Sequence, residues 1–388
     1  MASSMQEWFS DGTPVLSSLV DTARSRPVVK TCIVQMVDDP ALIADEWRHL
    51  EARCVGYAFY QGYDWCTAWI NSCRAAGCRI KPRIVTVRVE GRLVLIWPLA
   101  LRQRGPVSML HALGEPATQY CDMLVEDASN AQAWFDQVWE AVLAMRDVDL
   151  VSLRRVRADS PLHRFGEVRL AAFAKSSDLA PLLRTAFVGA ARSGRSLNSL
   201  RRHRKRLAAS GPVRVERVPP AEQADALREA FATKRRWAEE RGAFSAAYWH
   251  PANERACLAI AERGLYAMWR LRVGEDVAAI EIGALGRGQY HSMIQTYEPR
   301  FALHSPGRIL LWEILSDPAN GIEVFDFMPP SMPHKIEWTE DAVNVTDYEI
   351  VRTANGAIYV QVEKRLKPAI KAVLSRFPSQ SLRWLARI

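Results

Sequence analysis

Apolar and polar residues alternate in two stretches of the chain that share an internal order. Residues 86–101 (TVRVEGRLVLIWPLAL) read as strand, tight turn, strand, and residues 270–285 (RLRVGEDVAAIEIGAL) read the same way 184 positions later. Each hairpin turns on a glycine with acidic neighbours, which supplies the positive φ of a short loop. At the same offset Trp65 maps onto Trp249, each expected to open a helix ahead of its hairpin. Asp149–Leu153 and Glu323–Phe327 are short apolar strands, each preceded by a helical pattern. This shared succession predicts a tandem repeat: two copies of one α/β (α+β) unit, helices flanking a mixed, largely antiparallel sheet.

The expected division is a loose extension over residues 1–27, a first unit over 28–190, a second over 191–362 and a tail over 363–388. The boundary falls in the polar Lys175–Asp178 and Gly189–Ser196 region.

After the second hairpin a third strand, Gln289–Tyr297, leads to Ser305-Pro306-Gly307-Arg308 and an apolar helical run. Ser305 is the expected N-cap and Pro306 the first helical residue, with Gly307 leaving the first turn bare. Free backbone N–H groups and the helix dipole there suit an anion, with Arg308 and Arg300 able to add charge.

The chain has 388 residues, 49% hydrophobic and 24% charged, the profile of a globular protein with room for two domains. Its longest apolar run, Leu93–Leu101, is too short to cross a bilayer, and the N-terminus has no basic or apolar leader. Seven cysteines with no CxxC pair and no zinc spacing suggest a reduced, cytoplasmic setting without a metal. The net charge of +8 is local. Residues 192–206 carry +7 and residues 363–388 carry +6, so the remainder is about −5. Phosphates of a nucleotide cofactor, RNA and an acidic membrane face all fit such patches. In the tail the cations interleave with Ile370, Leu374, Phe377 and Trp384, as at the inner face of a membrane.

The order strand, strand, strand, Ser-Pro-Gly helix, Phe-Asp-Phe strand and Lys-x-x-Trp resembles the GNAT-like acyltransferases of the CelD/BioF2-like class, relatives of the FemAB aminoacyl transferases. The first half matches through Phe59, Tyr63, Trp65, Trp69, Pro98-Leu99, Gly114 and Tyr120-x-Asp122. The second matches through Leu200-Arg-Arg202, Arg236-Trp237, Gly242, Phe244, Ser305-Pro-Gly307, Phe325-Asp-Phe327 and Lys335-x-x-Trp338. The resemblance implies a tandem of two GNAT folds, the first degenerate, with the donor thioester held in the second. The family's Gln/Arg-x-x-Gly-x-Gly/Ala phosphate loop is reduced here. Ala302 stands where its Arg would, Ser305 replaces the first Gly and only Gly307 remains. His334-Lys335 replaces Tyr-Lys, and Pro329 stands where a Gly follows Phe-Asp-Phe.

Amide formation from a thioester needs a base for the amine and an acid for the leaving group. Candidate catalytic residues are Glu281, His291 and Asp326. Ser305, Gly307, Arg308 and Arg300 are the candidates for the donor phosphates, and Tyr290, Tyr297, Lys335 and Trp338 for substrate contacts. Strand alternation places Glu281 on one face with Val277, Ala279 and Gly283, and His291 on one with Met293, Gln295 and Tyr297. The expected reaction is acyl-CoA-dependent N- or O-acyl transfer to an envelope polysaccharide or lipid-pathway acceptor, with acyl carrier protein as a second donor. A long-chain amine acceptor predicts a wide apolar groove between the halves. The alternatives are an aminoacyl-tRNA-dependent transferase, which predicts a positive surface continuous with the Ser305 helix, and a non-catalytic scaffold. No Walker A, GxSxG, HExxH or Rossmann fingerprint offers a competing mechanism.

Overall fold

The computed structural model describes residues 32–56, 59–189, 194–240 and 246–374. The expected 1–27 extension and the basic tail beyond residue 374 lie outside the described residues.

In chain order the first half comprises β1 (Cys32–Val37), α1 (Ala44–Arg53), α2 (Tyr63–Ala75), β2 (Lys81–Val89), β3 (Arg92–Arg104), β4 (Val107–Ala112), β5 (Leu124–Val125), α3 (Ala131–Ala144), β6 (Leu150–Arg157), α4 (Pro161–Leu170) and β7 (Ala174–Arg184). The second comprises α5 (Gly194–Leu207), β8 (Val213–Arg217), α6 (Gln223–Glu240), α7 (Ala246–Trp249), α8 (Asn253–Ala261), β9 (Ala267–Val273), β10 (Asp276–Gly286), β11 (Gln289–Tyr297), α9 (Pro306–Ser316), β12 (Val324–Asp326), α10 (Pro333–Ile336), β13 (Ala342–Val351) and α11 (Ala354–Leu374).

Local chemistry explains the elements. The run Leu93–Leu101 is the buried centre of β3, apolar on both faces because helices cover both sides. Trp65, Trp69 and Cys73 recur every four residues and give α2 its buried stripe. Ser160 caps α4 by accepting from the His163 N–H (3.2 Å), with Pro161 in the first helical position. The first hairpin turns at Glu90 and Gly91, both at positive φ. Trp65 lies near the start of α2, whereas Trp249 closes the single turn of α7.

The strands form one continuous mixed sheet in the order β1-β2-β3-β4-β6-β13-β7-β12-β11-β10-β9-β8, with β5 paired to β3. Each half repeats the same motif: an antiparallel run ending in one short parallel pair, β4 with β6 and β11 with β12. The seam between them departs from a simple repeat. β13, near the end of the chain, inserts between β6 and β7, pairing Val351 with Leu150 and Ala342 with Pro181. The polar Lys175–Asp178 stretch, expected as a boundary, is the opening of β7, which pairs with β13 and then, from Leu182 to Arg184, with β12.

A shared core joins the halves, with Trp65, Trp69 and Ile96 packing in one cluster with Phe231, Ile280 and Met328. From the β10–β11 turn, Arg287 donates to the carbonyls of Glu51 (2.8 Å), Cys54 (2.6 Å) and Gly56 (2.7 Å), tying the second half to the end of α1.

Candidate active site

β11 and β12 pair only from Gln289↔Val324 to His291↔Asp326. Beyond that point the chain after β12 turns away, with the Phe327 N–H donating to the Pro181 carbonyl (3.0 Å) and Met328 at φ 62°. β11 runs on to Tyr297, so the sheet parts at a tip marked by His291 and Asp326.

That tip is where the halves meet chemically. Asp326 has no exposed surface. Both of its oxygens accept from the Tyr120 hydroxyl (3.0 and 2.9 Å), Oδ1 accepts from the Met328 N–H (2.7 Å), and Oδ2 meets the Arg157 guanidinium. Arg157 also grips Asp159 with two bonds (2.8 and 2.9 Å). His291 Nε2 lies 3.6 Å from Asp326 Oδ2, its ring stacked on Tyr60 (6.5 Å, 11°) and edge-on to Tyr120 (5.6 Å, 70°). Burial, helped by the Arg157 charge, drives the imidazole down to about 3, so it is neutral at physiological pH. Asp326 is held above the usual carboxylate range by burial, against the pull of Arg157. With the Tyr120 hydroxyl, the Met328 N–H and the Arg157 guanidinium all donating to it, Asp326 serves better as an anchor than as a proton acceptor.

Beside this cluster opens a pocket of about 200 Å³ lined by Tyr60, Gln61, Asp122, Arg157, Asp159 and His291, with Ser160 and Gln289 at its margin. The Asp122 carboxyl takes the Leu162 N–H on Oδ1 (2.9 Å), and burial pushes it up to about 7. It therefore exchanges a proton near neutrality at the wall of a cavity. Asp122 enters the sequence reading only within the Tyr120-x-Asp122 match, because burial, which sets its titration, has no local sequence signal.

Of the three expected catalytic residues, His291 lines this pocket and Asp326 supports it, while Glu281 stands elsewhere. Glu281 has no exposed surface and accepts from Ser292 Oγ (2.6 Å) and the Tyr290 hydroxyl (3.3 Å), and burial drives its carboxyl up to about 8. The register of β10 against β11 slips between Ile282 and Gly283, leaving Met293 as an extra residue. That bulge breaks the expected alternation, so His291 reaches the pocket while Gln295 and Tyr297 approach Gly307 instead.

The corner at α9 differs from the expected anion cradle in several ways. Ser305 adopts a left-handed conformation (φ 51°, ψ 51°), and its side chain caps nothing. The N–H groups of Arg308 and Ile309 both donate to the Ser305 carbonyl (3.0 and 3.2 Å), so neither is free to meet an anion. Arg308 pairs with Glu337 (3.1 Å), and Arg300 with Asp276 (2.7 Å). Tyr290 is sealed between Trp269 (5.4 Å) and Phe325 (5.0 Å), and Trp338 packs on Phe327 (6.4 Å), so both belong to the core rather than to a substrate surface. Lys335 Nζ donates to the carbonyls of Met328 (2.7 Å) and Pro330 (3.1 Å), and burial brings it down to about 8. Tyr297 remains beside Gly307.

Charge gathers at this corner from another element. α5, which carries the first basic cluster, packs on α9 and the turn before it. Arg204 pairs with Glu313 (3.0 Å), and the His203 imidazole is lowered by burial and by Arg206, His304 and Arg308. Arg201, Arg202, Lys205 and Arg206 are exposed.

Among the described residues no group of three or more His, Cys, Asp or Glu could hold a metal ion. Nor is any described helix long and apolar enough to cross a membrane.

Residues 192–336 match the family model described as "Acetyltransferase (GNAT) domain". Among solved structures the chain resembles FemX, at 10% identity and a TM-score of 0.56, covering 85% of this chain and 100% of that one. It also resembles a conserved protein of unknown function from Bacteroides thetaiotaomicron, at 8% identity and a TM-score of 0.50, covering 81% and 99%. At such identities the likeness is one of fold. No curated protein sequence matches the chain.

Proposed function

We propose that this chain, a tandem GNAT acyltransferase with the fold of the FemAB-related class, transfers an acyl group from a phosphate-bearing donor to an amine seated in the pocket between its halves. The observation that carries the reading is the pocket at the parting of β11 and β12, with a carboxyl in its wall that titrates near neutrality.

The pocket suits an ammonium group. Asp122 and Asp159 face it, Arg157 is already neutralised by Asp159 and Asp326, and His291 is uncharged. Asp122 takes the ammonium proton, and the freed amine attacks the acyl carbonyl delivered along the open edge of β11. The C–N bond forms as the carbonyl carbon releases its thiolate or ribose oxygen, which takes up the second proton shed by the attacking nitrogen. Tyr120, Asp326 and Arg157 hold the His291 ring and the tip of the gap in place. A polar lining of Tyr, Gln, Asp and Arg differs from the wide apolar groove that a long-chain amine requires. A polar envelope precursor carrying a primary amine fits it better.

The donor enters from the α9 corner, where the exposed arginines of α5 suit the phosphates of acyl-CoA. A second reading, an aminoacyl-tRNA donor, is favoured by the same helix, because its basic face runs on to the Ser305 turn. The amphipathic tail and the exposed Ile358 and Val362 of α11 support placement at an anionic membrane face.

The test is amine-dependent thiol release from acyl-CoA, run beside amine-dependent deacylation of charged tRNA. Asp122→Asn is expected to lower kcat about 100-fold and to flatten the rise in rate as pH climbs through about 7. An Asp122→Asn enzyme with wild-type kcat and pH profile overturns the placement of the reaction in this pocket.

A further inference from the structure

The first half repeats the parting of parallel strands but fills the gap. β4 and β6 pair from Met109↔Leu150 to His111↔Ser152 and no further. The segment after β4 then folds back into the opening, with the N–H groups of Ala117 and Thr118 donating to the Gly114 carbonyl (2.9 Å each) and the Cys121 N–H donating to the Arg154 carbonyl (3.2 Å). A Cβ at Gly114 would fall 2.2 Å from Thr118 Oγ1 and 2.7 Å from Trp65 Nε1, so the plug is packed to contact.

Around the plug stand Arg102 and Arg104 on β3, Arg154 and Arg155 on β6, and His111 on β4. Their fields overlap. Burial first, and then Arg102, Arg104 and Arg154, bring the His111 imidazole down to about 4. The acids facing them are Glu115 and Asp347, and the guanidiniums of Arg104, Arg154 and Arg155 alone outnumber these two carboxylates. Arg104, Arg154 and Arg155 form no ion pair among the described residues, and the Arg155 guanidinium donates to the neutral Gln119. Elsewhere Arg157, Arg235, Arg270 and Arg308 each meet a carboxylate. Arg104 Nε, His111 Nε2 and Glu115 Oε1 are buried without a hydrogen-bond partner among the described residues, and His111 is only 4% exposed. Unmatched charge and unmet polar atoms in one place cost stability unless something completes them.

We propose that Arg102, Arg104, Arg154 and Arg155, with His111 at their centre, form a binding site for a phosphate-class anion, separate from the α9 corner. Guanidiniums match phosphate oxygens in geometry and charge. His111 Nδ1 lies 2.9 Å from the Ala112 carbonyl, so in the neutral ring Nε2 presents its lone pair, a partner for the hydroxyl of a hydrogen phosphate. Burial pushes Glu115 up to about 7, so it takes up a proton when an anion arrives rather than repelling it. The inference stands apart from the acyl-transfer reading because binding is read without turnover.

The experiment is calorimetric titration of the full chain with inorganic phosphate, pyrophosphate and CoA, at ionic strength matched with sodium chloride. Saturable pyrophosphate binding is expected, weakened about tenfold by Arg104→Gln and by Arg154→Gln, unchanged by Arg214→Gln on β8, and not abolished by an Arg201→Gln/Arg202→Gln pair on α5. Arg154 is exposed, so its variant carries the test if Arg104→Gln fails to fold. Without ligand at low salt, Arg154→Gln is expected to melt above the wild type, the reverse of losing a structural contact. CoA binding lost in Arg154→Gln would support the site and name the donor's own phosphate as its anion; CoA binding retained would assign the anion to another molecule. No saturable heat beyond that of chloride, or pyrophosphate binding abolished by the α5 pair and untouched by Arg154→Gln, overturns the proposal.

Discussion

Glu281 shows how a single buried carboxyl writes itself into stability. Its folded-state pKa of about 8 stands far above that of an exposed glutamate, so the folded protein binds a proton that the unfolded chain has released at neutral pH. The stabilising proton is fully present below about pH 4.5 and is lost progressively as pH rises through about 8. Glu281→Gln should therefore change stability little at pH 5 and raise the melting temperature by several degrees at pH 8, read by thermal denaturation at both values. A uniform loss at both pH values would mean that Glu281 does not titrate at the raised value and acts only through its hydrogen bonds from Ser292 and Tyr290. Asp122 shares the raised titration but faces a cavity, and that difference in access separates a candidate proton acceptor from a structural acid.

Among the elements, α5 makes the sharpest prediction. Arg201→Glu with Arg202→Glu should weaken donor binding roughly tenfold or more at low salt, with the gap to wild type closing as salt screens the face. Equal weakening at all salt concentrations would point to a disturbed α9 instead. Much at this scale could be read from periodicity, because the hairpins at residues 86–101 and 270–285 and the third strand 289–297 depend on local alternation and turn residues. The bulge at Met293 could not, since one inserted residue leaves the local pattern intact while turning every later side chain over. The Ser305 cap failed for a related reason. Ser-Pro-Gly favours a helix start, but the preceding turn forces Ser305 into a left-handed backbone from which its hydroxyl cannot reach the first turn. Tyr290 and Trp338 read as substrate contacts because an aromatic on a strand looks the same in sequence whether it faces a cleft or the core.

For the molecule as a whole, the decisive arrangement is β13 lodged between β6 and β7. Its partners lie about 160–200 positions earlier, set by no local signal, which is why the division near residue 190 looks complete in sequence while the sheet crosses it. Ending the chain at residue 340 should strip β6 and β7 of their shared neighbour and abolish cooperative melting, whereas the intact protein should unfold in one transition. Two separated transitions for the full chain would show that the halves hold together independently of that strand. During synthesis, the half that emerges first from the ribosome must wait with an unfilled slot until more than 150 further residues have been translated. Throughout that interval it is open to chaperones and to the same strand borrowed from a neighbouring copy.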